Sequence, residues 1–233
     1  MTLKILSAGA PKTAVANCAD AFSKETGQDV EHRFNTAPKL REQVETGNAD
    51  ADVLVAPVPT LEKFEEQGLA VSGSGTLIGS IKAAVVILAG AKVPNLTSAD
   101  TLKASILEAE SLVYNKASSG TYIEKMMERL GIADQVRGKT IRTDTGAGVM
   151  EHLSESDFDN EIGFGQQTEI QVQVDKGLNV VLVGPLPKEV ENLTTYRAGL
   201  LSAAIDADAA RAFLEFMATE RAVELITATG IAR

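Results

Sequence analysis

The chain has 233 residues, a formal net charge of −10 and a pI near 4.8. Such a charge repels phosphate backbones and anionic headgroups at long range, which excludes a nucleic-acid or anionic-membrane surface as the working face. The length holds one large or two smaller domains, each able to bury a core, and the one cysteine, Cys18, allows no intrachain disulfide.

Residues 3–6 read as a short buried strand, followed by the small-residue turn Ser7-Ala8-Gly9-Ala10-Pro11. Val15, Ala19 and Phe22 then share one helical face, Gly27 stops that helix, and Cys18 falls among them as a small buried hydrophobe. Residues 30–34 give a second strand, Asn35-Thr36-Ala37-Pro38 a second turn, and Leu40 and Val44 the inner face of a helix ending at Gly47. A third strand over residues 52–56, the turn Pro57-Val58-Pro59-Thr60 and a helix through Leu61 and Phe64 to Gly68 follow. Three successive strand-turn-helix units argue a parallel sheet with right-handed crossovers, in which ligands gather at the carboxyl ends of the strands. Ser7, Gly9, Ala10, Thr36 and Ala37 lie in those turns and are candidate ligand contacts.

The glycine-rich residues 73–80 interrupt the pattern, and the extended run 81–89 reads as a crossing into a second lobe. The glycines lack dinucleotide-loop spacing and precede a strand rather than a helix. Lys82, at the start of the crossing, is either a partner for a ligand carboxylate or a strand-end lysine in water, and Lys116 and Tyr196 carry the same ambiguity. Residues 97–107 are helical, with Thr97 or Ser98 as cap.

Residues 112–131, LVYNKASSGTYIEKMMERLG, combine an apolar strand, a small polar turn and a helix with Ile123, Met126, Met127 and Leu130 inward. The first N–H groups of a helix have no intrahelical partner and sit at the positive end of its dipole, so such a turn can hold an anion without a cationic side chain. Ser118 or Ser119 serves as N-cap, Gly120 permits close approach, and Asn115, Thr121 and Tyr122 complete the group. The alternative is a capped helix with no further role. Residues 139–143 form a strand feeding Asp144-Thr145-Gly146-Ala147-Gly148, where Thr145 and Gly146 offer a second such contact. A strand over 161–164 leads into the polar turn Gly165-Gln166-Gln167-Thr168, with Gln166 and Gln167 as donors, and a helix around Ile170 and Val174. An apolar strand over 179–183, another over 196–204 and two short amphipathic helices close the chain.

With these pieces in order, the chain resembles the substrate-binding proteins of ABC transporters, in the molybdate-binding-protein-like branch. The resemblance rests on LKILSAGAPKTAVANCADAFSKETG, VEHRFNTAPKLREQVETGNADADVLVAP, SLVYNKASSGTYIEKMMERLGI, EIGFGQQTEI and FLEFMATERAVELITATGI, and covers nearly the whole length. It implies an α/β fold of the type II periplasmic binding protein class: two Rossmann-like lobes joined by two crossing segments. Lobe 1 is then residues 1–80 with 193–233 and lobe 2 residues 81–192, with ligand held between them by hinge closure. Against that family's pattern, Ala10 stands where a hydroxyl is common, the second turn keeps only Thr36, and Gln166 replaces the usual tyrosine. A tetrahedral dianion needs a dense shell of donors, so a small organic carboxylate is expected rather than molybdate.

The expected function is therefore capture of a small anion, with an ABC permease as partner and no catalysis. The alternative on the same scaffold is an aconitate-isomerase-like enzyme that moves a proton next to a carboxylate of an unsaturated di- or tricarboxylate. Neither a cofactor nor a metal is expected: His32 and His152 are far apart, no cysteine lies near either, and no nucleophile-elbow pattern occurs. No membrane insertion is expected, because the apolar run 83–90 is far too short to span, and a monomer is expected. Location is periplasmic if a signal peptide once preceded Met1 and cytoplasmic otherwise.

Overall fold

A computed structural model describes residues 1–233 and divides them into two compact units, Met1–Ile81 with Thr194–Arg233, and Lys82–Leu193. The chain passes from one to the other twice, at Ile81 and again at Leu193. No helix is long and apolar enough to cross a membrane.

The first unit is built on β1 (Leu3–Ala8), β2 (Val30–Asn35), β3 (Val53–Pro57) and, from the end of the chain, β9 (Leu193–Leu200), in the order β2-β1-β3-β9. β1 pairs parallel with both β2 and β3, and β9 runs antiparallel to β3 with Val53 opposite Leu200. Helices α1 (Lys12–Thr26), α2 (Ala37–Glu45), α3 (Val58–Glu66), α9 (Ala207–Phe216) and α10 (Glu220–Thr227) cover this sheet. Each has apolar residues at helical spacing, and their burial forms one core. Phe22 of α1 packs against Phe213 and Phe216 of α9 at ring separations of 5.4 and 5.6 Å, and Cys18 has no exposure. Asp52 is buried and fully satisfied: its carboxylate accepts Lys4 N at 2.9 Å, Ile205 N at 2.7 Å and Asp206 N at 3.1 Å, fastening the start of β3 to the segment before α9.

The second unit has β4 (Thr76–Leu88, entering from the first), β5 (Ser111–Asn115), β6 (Thr140–Thr143), β7 (Glu161–Gln166) and β8 (Val180–Pro185). The order is β6-β5-β7-β4, with β8 on the other side of β4. β5, β6 and β7 are mutually parallel, while β4 is antiparallel to β7 and β8. Ala83 and Val85 of β4 face a core under α4 (Ala99–Glu108) and α5 (Ser118–Arg129), and Ala84 and Val86 face one under α7 (Gly146–Glu155) and α8 (Gln167–Asp175). That two-sided burial explains its continuous apolar run. A short α6 (Ala133–Val136) links α5 to β6.

Several boundaries differ from the sequence reading. The glycine-rich stretch is divided: Gly73 and Gly75 lie in a turn before β4, as read, whereas residues 76–80 already belong to the strand. Gly79 has a φ of +139°, and a Cβ there would lie 2.5 Å from Ala232 O, so the glycine lets the chain end bridge to Ser80. Gln166 completes β7 and Gln167 opens α8 at once, with no intervening turn, and α3 likewise begins directly after β3. β9 starts at Leu193 and stops at Leu200, earlier than the alternation suggests.

Candidate functional site

In the first unit the carboxyl ends of β1 and β2 lie side by side, with Ala8 opposite Asn35. The chain leaves β1 through Gly9 and Ala10 and enters α1 after Pro11, with Lys12 N donating to Gly9 O at 3.2 Å. Ser7 is fully buried and its hydroxyl donates to Ala8 O at 3.0 Å, so it serves the strand end. Thr36 caps α2 by position, yet its side chain makes no capping bond. The first N–H groups of that helix, Ala37 included, have no intrahelical acceptor. Ser7, Gly9, Ala10, Thr36 and Ala37 are thus gathered along one edge of this unit.

In the second unit, taken by itself, the carboxyl-end edge is formed by β6, β5 and β7, where Asn115 is opposite Thr143 and Tyr114 opposite Phe164. The beginnings of α5, α7 and α8 therefore stand in a row, bringing Ser118, Ser119, Gly120, Thr145, Gly146, Gln166 and Gln167 to neighbouring strand ends. Asn115 is 2% exposed, and its Oδ1 accepts Ala117 N at 2.9 Å and Gly120 N at 3.2 Å, while Nδ2 lies 3.0 Å from Ser119 Oγ. The N-cap residue is consequently Ala117, not Ser118 or Ser119, and the capping oxygen comes from Asn115. A Cβ on Gly120 would fall 1.7 Å from Asn115 O, so the tight turn requires glycine there.

Other candidates are held differently. Thr145 is the N-cap of α7, its hydroxyl accepting Gly148 N at 3.0 Å. Thr121 Oγ1 donates back to Ala117 O at 3.3 Å. The Tyr122 hydroxyl donates to Val190 O at 2.8 Å, with Glu191 O at 3.2 Å, and so ties α5 to the segment before β9. Lys82 pairs with Glu191 at 2.7 Å, and Lys116 pairs with Asp144 at 2.7 Å and holds that exposed carboxyl below its ordinary range. Gln166 is buried at the end of β7, and Tyr196 is buried in the first unit's core.

The helices opening along these edges, α8 excepted, share one electrostatic feature. α1, α2, α5 and α7 have no acidic residue in the first turn. By contrast α4, α8, α9 and α10 carry Asp100, Glu169, Asp208 and Glu220 there. In a chain with this excess of acids, the first group leaves the positive ends of its dipoles uncompensated within their own sequence. α7 is a partial exception, because Glu169 reaches across from α8: a Cβ on Gly146 would lie 2.4 Å from its Oε2.

Arg142, absent from the residues singled out by sequence, also belongs to this edge. Its guanidinium carbon lies 4.5 Å from the Tyr114 ring centroid, Nε donates to Asn115 O at 3.3 Å, and Nη1 is 3.3 Å from Glu124. The only signal was a lone arginine in a short polar strand. A cavity of about 510 Å³ lies at the opposite strand ends of the first unit, lined among others by Lys4, Asp50, Leu69 and Leu201. Its charged groups are already partnered, with Lys4 Nζ 2.8 Å from Asp50 and Asp52 accepting backbone N–H groups. No group of three or more His, Cys, Asp or Glu is arranged to hold a metal ion. What the turns offer chemically is N–H and hydroxyl donors.

The fold is that of the type II periplasmic binding proteins. It is similar to the periplasmic molybdate-binding protein of Azotobacter vinelandii, with a TM-score of 0.77 and 18% identity over 99% of each chain. It is also similar to a sulfate-binding protein of Mycobacterium tuberculosis H37Rv, with a TM-score of 0.78 and 14% identity over 99% of this chain and 86% of that one. Residues 3–232 match the bacterial extracellular solute-binding protein family, and the chain belongs to that family. Among characterised sequences it is 23% identical to an aconitate isomerase from a Pseudomonas species over 239 aligned positions, covering 99% of this chain and 87% of the relative.

Proposed function

We propose that this protein is a solute-binding protein that captures a small organic carboxylate, with the turns at the strand ends of both units supplying the donors and hinge closure retaining the ligand. The observation that carries this reading is the set of helix beginnings without first-turn acids, α1, α2 and α5 above all, each following the carboxyl end of a parallel strand in its own unit, in a chain of net charge −10. Oriented N–H groups there attract an anion locally where the overall field repels it. A planar carboxylate is preferred to molybdate because Ser7 and Asn115 spend their polar groups inside the protein and Ala10 brings no hydroxyl, which thins the donor shell. Delivery of the bound anion to an ABC permease, and a monomeric state, are part of the proposal. Calorimetric titration with mono-, di- and tricarboxylates beside molybdate, tungstate and sulfate tests it: saturable heat from a carboxylate is expected, and silence across the panel refutes it.

The 23% identity to an aconitate isomerase supports a second reading, proton transfer on an unsaturated tricarboxylate. Incubation with trans-aconitate in deuterated buffer separates the two. Deuterium entering the acid identifies an isomerase; a bound but unexchanged acid identifies capture alone.

A further inference from the structure

Ser111 opens β5 and Glu161 opens β7, and the two are directly opposite in the parallel ladder, at the strand ends remote from the turns described above. Two residues further on, Val113 packs with Val149, Met150 and Leu153 of α7, and a Cβ on Gly163 would meet Leu153 and Val149. Side chains alternate along a strand, so Ser111 and Glu161 face α7 as well. From that helix His152 Nε2 lies 3.1 Å from Glu161 Oε1. Both strand residues are 2% exposed, yet Ser111 Oγ and Glu161 Oε2 have no hydrogen-bond partner in the protein. Buried polar atoms are rarely left so; where protein supplies no partner, a bound water or ion does.

We propose that a single water molecule is a built-in component of this cluster, bridging Ser111 Oγ and Glu161 Oε2 beneath α7. The hydrogen inventory selects water over a cation. The carboxylate oxygen needs a donor and the serine hydroxyl carries a proton that needs an acceptor; one water supplies both, whereas a metal or ammonium ion offers no acceptor. The bridge joins β5 to β7 and, through Glu161 and His152, to the C-terminal half of α7, the helix whose first turn holds Thr145 and Gly146. It seats that helix whether or not a ligand is bound.

A crystal structure of the full chain, with a parallel soak in a rubidium salt, tests the bridge. One density peak within hydrogen-bonding distance of both atoms, with no anomalous signal after the soak, is expected. An anomalous peak there, no peak, or Ser111 turned to bond Glu161 directly overturns the proposal. In solution, Ser111→Ala removes one anchor of the water and is expected to lower the melting midpoint by about 2–4 °C for a chain of this size. An unchanged midpoint overturns it too. Glu161→Gln keeps the shape and one acceptor oxygen for His152, and its amide nitrogen can donate to the water, which still accepts from Ser111, so the density peak is expected to stay and its loss overturns the proposal.

Discussion

At the scale of single residues, what decides behaviour is where a polar group spends its bonds. Asn115 reads in the sequence as a ligand donor beside Ser118 and Ser119, but its Oδ1 is turned back onto Ala117 N and Gly120 N. Residue type and position announce a polar turn; they do not announce which acceptor closes it, since that depends on the backbone path five residues later. Gly120→Ala must push Cβ against Asn115 O, and is expected to cost about 1–3 kcal/mol in urea unfolding and to weaken anion binding, because the turn opens. Cys18 was fully legible from its place among Val15, Ala19 and Phe22, and burial, opposed weakly by Arg233, pushes its thiol from 9.0 up to about 12. The native state therefore holds the proton more tightly than the unfolded chain. The resulting stability is complete below pH 9 and is lost as pH rises towards about 12, with a slope of about 1.4 kcal/mol per unit. Alkaline unfolding of Cys18→Ala is expected to lack that component, and iodoacetamide at pH near 8 is expected to label the thiol only after denaturation, as mass spectrometry would read.

At the scale of elements, hydrophobic period and glycine stops located the strands and helices, and the first third holds three parallel strands each followed by a helix, the third without the turn read over residues 57–60. The break read over residues 73–80 holds only to Gly75, because Thr76 already starts β4 and the reason for Gly79 is an approach by Ala232 from residues far along the chain. Long-range reasons of that kind have no local signature. Tyr122, bonded to Val190 and Glu191 carbonyls, is another case. Lys139 is a third: from just before β6 its ammonium donates to Ile106 O at 3.0 Å and Leu107 O at 2.9 Å, and also to Ala109 O, closing the C-terminus of α4. A cation there satisfies orphan carbonyls and complements the dipole. Lys139→Met keeps the aliphatic stem and loses the charge, so it is expected to destabilise by about 1–2 kcal/mol, with amide exchange accelerating first in α4.

At the scale of the molecule, the two units differ in how the chain supplies them. The second is one continuous segment, Lys82–Leu193, whose two apolar clusters draw on no residue outside it. Expressed alone, it is expected to unfold cooperatively with a helical far-ultraviolet spectrum; a non-cooperative melt would contradict that. The first unit needs Tyr196, Phe213, Met217 and Ile226 from the last segment to close around Phe22 and Leu54. Met1–Ile81 alone is expected to stay unfolded and to recover structure when Thr194–Arg233 is added in trans. The resemblance in the order of pieces gave the fold class directly, whereas ligand identity rests on donor counts that only atomic positions supply.

That split has a bearing on birth as well as on stability. Domains usually mature from the amino terminus as translation proceeds, but here the later-made middle can settle first, while the earliest-made residues wait for β9, α9 and α10. At ordinary elongation rates residues 194–233 take about 2–8 s to be made, an interval in which an unfinished sheet edge at β3 is open to chaperones or to stray pairing.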